Sequence, residues 1–283
     1  MSWYLIRGPE DWPIAQAQLL LTLSASSLQS RLDDKDDSLT IFDVPEFGMS
    51  ELGLRGISIN ASQLAGMDIE DLEKIRDRAD KASCPVLLLV EDAPLQFGDP
   101  SPKVQDAIRT RISRLGVAAT ALGASCLGVG CECSDGDHNF DNAAASLRMA
   151  MQLIDRHEVN MLVQSHKGLT ASPDRLTELI KKVGGFRIGS LPDFRIAHDS
   201  GEFVSSLRRL APYAGAIFAT VGKGTKKTGV TPYSLSEGLE AVLAVGYQNT
   251  ICLHHEGAGD PVKTISAARD ELMAALNTDD EKS

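Results

Sequence analysis

Apolar residues in this chain fall in short runs separated by longer stretches whose apolar positions recur at helical spacing. The clearest run is Val159-Asn-Met-Leu-Val-Gln164, followed by Ser165, His166, Lys167 and Gly168. As a strand it sends Leu162, Gln164 and His166 to one face and Met161, Val163 and Ser165 to the other. One face turns polar only at the carboxyl end, which is how a parallel barrel stacks apolar layers beneath a site. Comparable runs predict strands over 19–24, 54–60, 85–90, 126–133, 186–191, 215–221 and 249–255. Helical spacing predicts helices over 44–52, 69–82, 104–122, 142–157, 173–183, 201–210, 235–245 and 261–276. Eight strands alternating with eight helices predict an α/β fold, a (β/α)8 TIM barrel. An open doubly wound sheet is the rival, but no Gly-x-Gly-x-x-Gly turn follows the first strand. The expected organisation is a leader over 1–17, one barrel domain over 18–276 and a frayed tail over 277–283.

Composition narrows the class. The 283 residues are 43% hydrophobic, enough for one large core. A net charge of −11 with 28 Lys and Arg argues against a nucleic-acid or anionic-membrane surface. Five cysteines, mostly within apolar runs, read as reduced thiols of a cytoplasmic protein. The amino terminus lacks a long apolar core and reads as neither signal peptide nor membrane anchor.

In a barrel the carboxyl ends of the strands face a common mouth. Alternation places Glu91 or Asp92, Glu132, Gln164, His166, Asp193, Thr220, His254 and Glu256 there. His254 and Glu256 point inward on this reading and His255 outward; imidazole and carboxylate together suit a divalent metal or proton transfer. The bland alternative makes His254 a hydrogen-bonded core residue and Glu256 a cap for the following glycine turn. The glycine-rich loop 222–229 carries Lys223, Lys226 and Lys227 after the seventh strand, where barrels bind phosphate; an ordinary solvated loop is the default reading. Cys131, Cys133 and His138 have the wrong spacing for a closed zinc site, and the acidic run 33–37 reads as a solvated loop.

Five segments then carry a resemblance: Glu51-Leu-Gly-Leu-Arg-Gly-Ile57, Leu162-Val-Gln-Ser-His-Lys-Gly-Leu-Thr170, Ile188-Gly-Ser-Leu-Pro-Asp-Phe194, Leu210-Ala-Pro-Tyr-Ala-Gly-Ala-Ile217 and Gly246-Tyr-Gln-Asn-Thr-Ile-Cys-Leu-His-His-Glu-Gly257. Their order and spacing over about 42–276 resemble the sugar phosphate isomerase/epimerase family of xylose-isomerase-like TIM barrels. The resemblance implies a small sugar or sugar phosphate as ligand, and proton movement between carbons beside a carbonyl. It also implies a divalent metal held by Glu, Asp, His and Glu near the tops of strands five to eight. Those positions here carry Gln164, Asp193, Phe218 and His254, and Thr220 stands where lysine is frequent. An amide is a weak ligand for a hard cation and a phenyl ring is none. A divalent zinc or manganese ion is therefore expected to bind weakly or not at all, through Asp193 and His254.

Two functions remain open from the sequence. One is an isomerase or epimerase in which His166 or Glu256 carries the proton and Glu132, Gln164 and Lys223 bind the substrate. The other is a non-catalytic relative, the metal site lost, acting as a binding, sensor or scaffold subunit. Neither requires a nucleic acid or a membrane, and either is compatible with a homo-oligomer.

Overall fold

The computed structural model describes residues 19–224 and 230–280, with side chains through Asn277. Eight parallel strands are present: β1 (Leu20–Ser24), β2 (Ile57–Asn60), β3 (Val86–Val90), β4 (Cys126–Gly130), β5 (Asn160–Gln164), β6 (Ile188–Leu191), β7 (Ala216–Val221) and β8 (Thr250–His255). Around them run α1 (Gln29–Leu32), α2 (Val44–Ser50), α3 (Ile69–Lys81), α4 (Pro102–Leu122), α5 (Asp137–Ile154), α6 (Pro173–Val183), α7 (Phe194–Asp199), α8 (Phe203–Leu210), α9 (Leu235–Leu243) and α10 (Pro261–Asp280). Strands pair in the order β6-β5-β4-β3-β2-β1-β8-β7. Single parallel bridges, Ser190 to Ala214 and Asp193 to Phe218, close the ring between β6 and β7. The fold is a (β/α)8 barrel. Among the described residues no helix is long and apolar enough to cross a membrane.

Alternation builds two cores. Leu88, Val90, Leu162, Leu191, Ala216, Phe218 and Cys252 fill the barrel's interior. Their neighbours in sequence, such as Leu89, Met161, Val163, Ile217, Ala219, Ile251 and Leu253, face the helices and form the larger outer core. Each strand is thus apolar on both faces, as expected of a sheet covered by helices outside and closed on itself inside. Helix starts follow from local chemistry. Asp68, Ser172 and Ser234 each accept the backbone N–H three residues on, capping α3, α6 and α9.

The structure moves several predicted boundaries. The strand expected over 126–133 ends at Gly130; beyond it only single bridges continue, Leu95 to Cys131 and Cys133 to Gly168. The strand expected from Phe186 begins at Ile188, because Gly184 and Gly185 hold positive φ angles of 74° and 94° and leave Phe186 fully exposed. Helix α7 was not anticipated. Pro192-Asp193 reads as a strand end, yet Asp193 accepts the Arg195 N–H and starts a helix at once. Helices α4 and α5 begin before their predicted starts, and α8 begins after its own. Helix α10 runs on through 277–280, into the stretch expected to fray. The predicted leader over 1–17 lies outside the described residues, as does the end of the tail.

Candidate functional site

The strand ends surround a cavity of about 150 Å³ lined by Ser24, Ser26, Asn60, Val90, Gln164, Asp193, Phe218 and His254. Every strand but β4 supplies a residue: Ser24, Asn60, Val90 and Gln164 end their strands, Ser26 and Asp193 lie just beyond theirs, His254 is next to last in β8, and Phe218 stands midway along β7. Val90 and Phe218 are the apolar floor, continuous with the barrel interior. The rest of the lining is polar.

Asp193 is partly buried at the mouth. Its Oδ2 accepts the Thr220 hydroxyl at 2.5 Å and its Oδ1 accepts the Arg195 N–H at 2.8 Å. Burial nevertheless pushes its carboxyl up to about 6, outweighing those hydrogen bonds. His254 places Nδ1 at 3.2 Å from the hydroxyls of both Ser24 and Ser26, which lie 2.8 Å apart. Burial holds the imidazole below its ordinary range, so it is neutral at pH 7. Its Nε2 has no partner among the described residues, and neither has the Gln164 amide. The Phe218 ring meets His254 edge-on at 6.1 Å. Ser24, Ser26 and Asn60 were missed from the sequence, although Ser24 and Asn60 close their strands as Gln164 closes β5.

A second layer stands behind Asp193. Arg195 donates from Nη2 to the Gly222 carbonyl at 2.9 Å and lies 5.9 Å over the Tyr233 ring. The Tyr233 hydroxyl donates to the Thr220 carbonyl, and burial pushes that phenol far up. These contacts hold Asp193 and Thr220 in place.

The structure separates the other predicted residues. Glu132 and His166 lie off the axis, in a wider cleft of about 560 Å³ shared with Gln96, Asp99, Asn139 and Lys167. His166 falls two residues past the end of β5, where the chain has left the pleat, so alternation no longer aims it inward. Glu91 faces outward and pairs with Arg111 of α4 at 2.5 Å. Asp92 accepts from Asn60 Nδ2 and from Ser62, fastening the turn after β2.

Glu256 lies outside the cavity lining too. Lys223 donates to its carboxylate at 2.7 Å, and that bond holds the carboxyl below its usual range. The loops after β7 and β8 meet closely here, since a Cβ on Gly222 (φ 104°) would lie 2.2 Å from the Glu256 carbonyl oxygen. Both ion-pair partners are about half exposed, with 50% and 47% of their side chains accessible. Lys223→Ala is therefore expected to lower stability by less than about 1 kcal/mol in denaturant unfolding. The rest of the lysine loop, with Lys226 and Lys227, lies outside the described residues.

The divalent ion implied by the resemblance does not fit this lining. Among the described residues no three His, Cys, Asp or Glu side chains are grouped to hold a metal. Both oxygens of Asp193 already accept hydrogen bonds, and the rest of the polar lining is one imidazole, two hydroxyls and two amides, with no second carboxylate.

No family model matches the sequence, and no curated protein matches it. Solved structures match the fold. An L-ribulose 3-epimerase superposes with a TM-score of 0.77 at 13% identity, covering 94% of this chain and 97% of that one. The IolI protein with a bound zinc atom gives 0.72 at 13% identity, covering 92% and 99%. The probable 3-DHS dehydratase AsbF from Bacillus anthracis gives 0.70 at 15% identity, covering 90% and 99%. The fold is that of the xylose-isomerase-like TIM barrels.

Proposed function

We propose that the mouth cavity binds a small uncharged hydroxy-carbonyl compound of the sugar class and moves a proton on it with Asp193 and His254. The observation that carries this reading is the cavity itself. One carboxyl group with a value near 6, one neutral imidazole and two amide side chains converge above an apolar floor. A carboxyl near the working pH is well matched to taking a proton from carbon beside a carbonyl. His254 Nε2 would hydrogen-bond a hydroxyl or carbonyl oxygen across Phe218, while Gln164 and Asn60 offer amide N–H groups to the developing oxyanion. Epimerases among the structural neighbours support the substrate class. A cavity of about 150 Å³ has the volume of about five waters at ~30 Å³ each, which suits a short polyol chain.

This assignment departs from His166 and Glu256 as proton carriers, because His166 lines the other cleft and Glu256 is paired with Lys223. That pairing also makes an uncharged ligand a better fit than a sugar phosphate. The five unpaired cysteines support a cytoplasmic setting.

The test is hydrogen exchange on carbon. Chelator-treated protein in D2O is incubated with dihydroxyacetone, D-erythrulose or D-fructose, and deuterium beside the carbonyl is followed by NMR. Incorporation above the buffer rate is expected, and it should be lost in Asp193→Asn. Exchange that appears only after manganese or zinc is added would overturn the metal-independent reading. Binding without exchange would favour the non-catalytic alternative.

A further inference from the structure

Strand β4 gives nothing to the mouth cavity, yet the chain after β3, β4 and β5 walls the wider cleft of about 560 Å³. Backbone bonds fix those walls. The Leu95 N–H donates to the Gly130 carbonyl at 2.9 Å and the Glu132 N–H to the Leu95 carbonyl at 2.8 Å, tying the first two segments together. The Leu169 N–H donates to the Cys133 carbonyl at 2.8 Å and ties in the third. Gly168 permits that approach: its φ is 70°, and a Cβ there would run into the Cys133 carbonyl oxygen. The rim is different. Among the described residues the side chains of Gln96, Glu132, His166 and Lys167 have no hydrogen-bond or ion-pair partner, and all four line the cleft. Fixed walls carrying free donors and acceptors are what a pre-organised ligand site needs.

The lining chemistry selects a polyhydroxylated, uncharged ligand. The Glu132 carboxylate accepts from hydroxyls, the Gln96 amide both donates and accepts, and Lys167 and His166 donate. Asp99 and Glu132 set two carboxylates against one ammonium, and no arginine is in the lining, so the cleft lacks the usual means of holding a phosphate or a carboxylate. The cleft also adjoins the mouth cavity. Gln164 lines the cavity and His166 the cleft, and two residues of chain cannot part their Cα atoms by more than ~7 Å. The Gln164 Oε1 lies 3.5 Å from where a Cβ on Gly130 would stand, and Gly130 leads in two residues to Glu132. A ligand that leaves the cavity past Gln164 therefore arrives between Glu132 and His166.

We propose that the wider cleft is the subsite for a second sugar unit, so that the substrate is an uncharged glycoside rather than a single sugar. The hydroxy-carbonyl end occupies the mouth cavity, and the attached sugar lies among Gln96, Glu132, His166 and Lys167. The inference rests on the reading of the mouth cavity given above and extends it to the length of the substrate. Volume agrees with this division. The cavity of about 150 Å³ takes the reacting end alone, whereas 560 Å³ has the volume of about nineteen waters at ~30 Å³ each, room for a whole ring with its bridging waters.

The test compares D-fructose with maltulose and isomaltulose, in which fructose carries a glucose unit on its fourth or sixth oxygen, by calorimetry on the full chain. At least one disaccharide should bind about tenfold more tightly than fructose, the worth of one charge-assisted hydrogen bond at the low end of its range. Glu132→Ala and His166→Ala should each bring the ratio of the two affinities toward one. A variant that merely misfolds weakens both sugars alike and keeps the ratio. Saturation-transfer NMR on the wild-type chain decides independently of any variant: protons of the glucose ring should be saturated as strongly as those of the fructose unit. Fructose binding with no gain from the glucose unit, a gain that survives both substitutions, or a glucose ring that receives no saturation would overturn the subsite and leave the reading of the mouth cavity standing. Failure of all three sugars to bind would instead sink that reading, and the subsite with it.

Discussion

Replacing Phe194 by alanine is expected to lower stability by about 3–5 kcal/mol, the cost of truncating a large aromatic in a packed core. Phe194 is fully buried at the first turn of α7. Its ring meets Phe203 edge-on at 5.9 Å and Tyr233 at 6.3 Å. Gly238 of α9 leaves room for it, since a Cβ there would lie 2.5 Å from the ring. Alanine would empty a space that three elements share, and α7 is too short to hold itself in place without that anchor. Asp193 precedes Phe194, so its hydrogen bonds to Arg195 and Thr220 should loosen with the helix. Urea unfolding measures the loss. Phe186→Ala is the control: its side chain is fully exposed, and a change within about 0.5 kcal/mol is expected. A comparable loss at both positions would mean that the α7 aromatic cluster is not what anchors this side of the barrel.

The pH dependence of stability should carry the mark of Asp193. An unfolded aspartate titrates near about 3.9, whereas burial raises this carboxyl to about 6 in the folded chain. Below about 4 both states hold the proton, and the group's favourable contribution is fully present. Between the two values only the folded state holds it, so stability falls by ~1.4 kcal/mol for each pH unit gained. The loss reaches about 3 kcal/mol and is complete once the pH passes about 6. Asp193→Asn removes the titration. Urea midpoints for both proteins from pH 4 to 8 should therefore give a difference, wild type minus variant, that declines through this window and then stays flat. A difference that rises with pH would mean that the carboxylate is stabilised by its donors more than burial opposes it.

Period-two patterning was enough to place Leu162 with Gln164, Phe218 with Thr220, and Cys252 with His254 on inner faces, because a closed barrel leaves a strand residue only two directions. The same logic reached Asp193, just past β6. It stopped working where strands stop. His166 and Glu132 stand beyond the last ladder pair of their strands, and their directions are set by the turn at Gly168 and the bridge at Cys133 rather than by the pleat. Glu256 was drawn into an ion pair with Lys223, a contact between separate loops that no local pattern encodes. Arg195 and Tyr233 support Asp193 from α7 and from the segment before α9, and only tertiary packing brings them together. Ser24 and Asn60 were within reach of the strand-end argument, but small polar residues at a strand's end look the same as ordinary turn residues.

The fastening between β6 and β7 bears on how this barrel responds to a ligand. All other neighbouring strands share a run of paired residues, whereas here two bridges, with the Phe218 N–H to Pro192 carbonyl bond at 2.9 Å and the Gly215 N–H to Ser190 carbonyl bond at 3.4 Å, complete the circle. Local opening begins where backbone pairing is thinnest, and this seam has Asp193 and Phe218 on its two lips. A molecule spanning from Asp193 across Phe218 to His254 would act as a stitch across the gap. Part of its binding free energy would then appear as closure of the wall, felt first at the amides of Phe218 and Gly215 and only later in the well-laddered strands opposite.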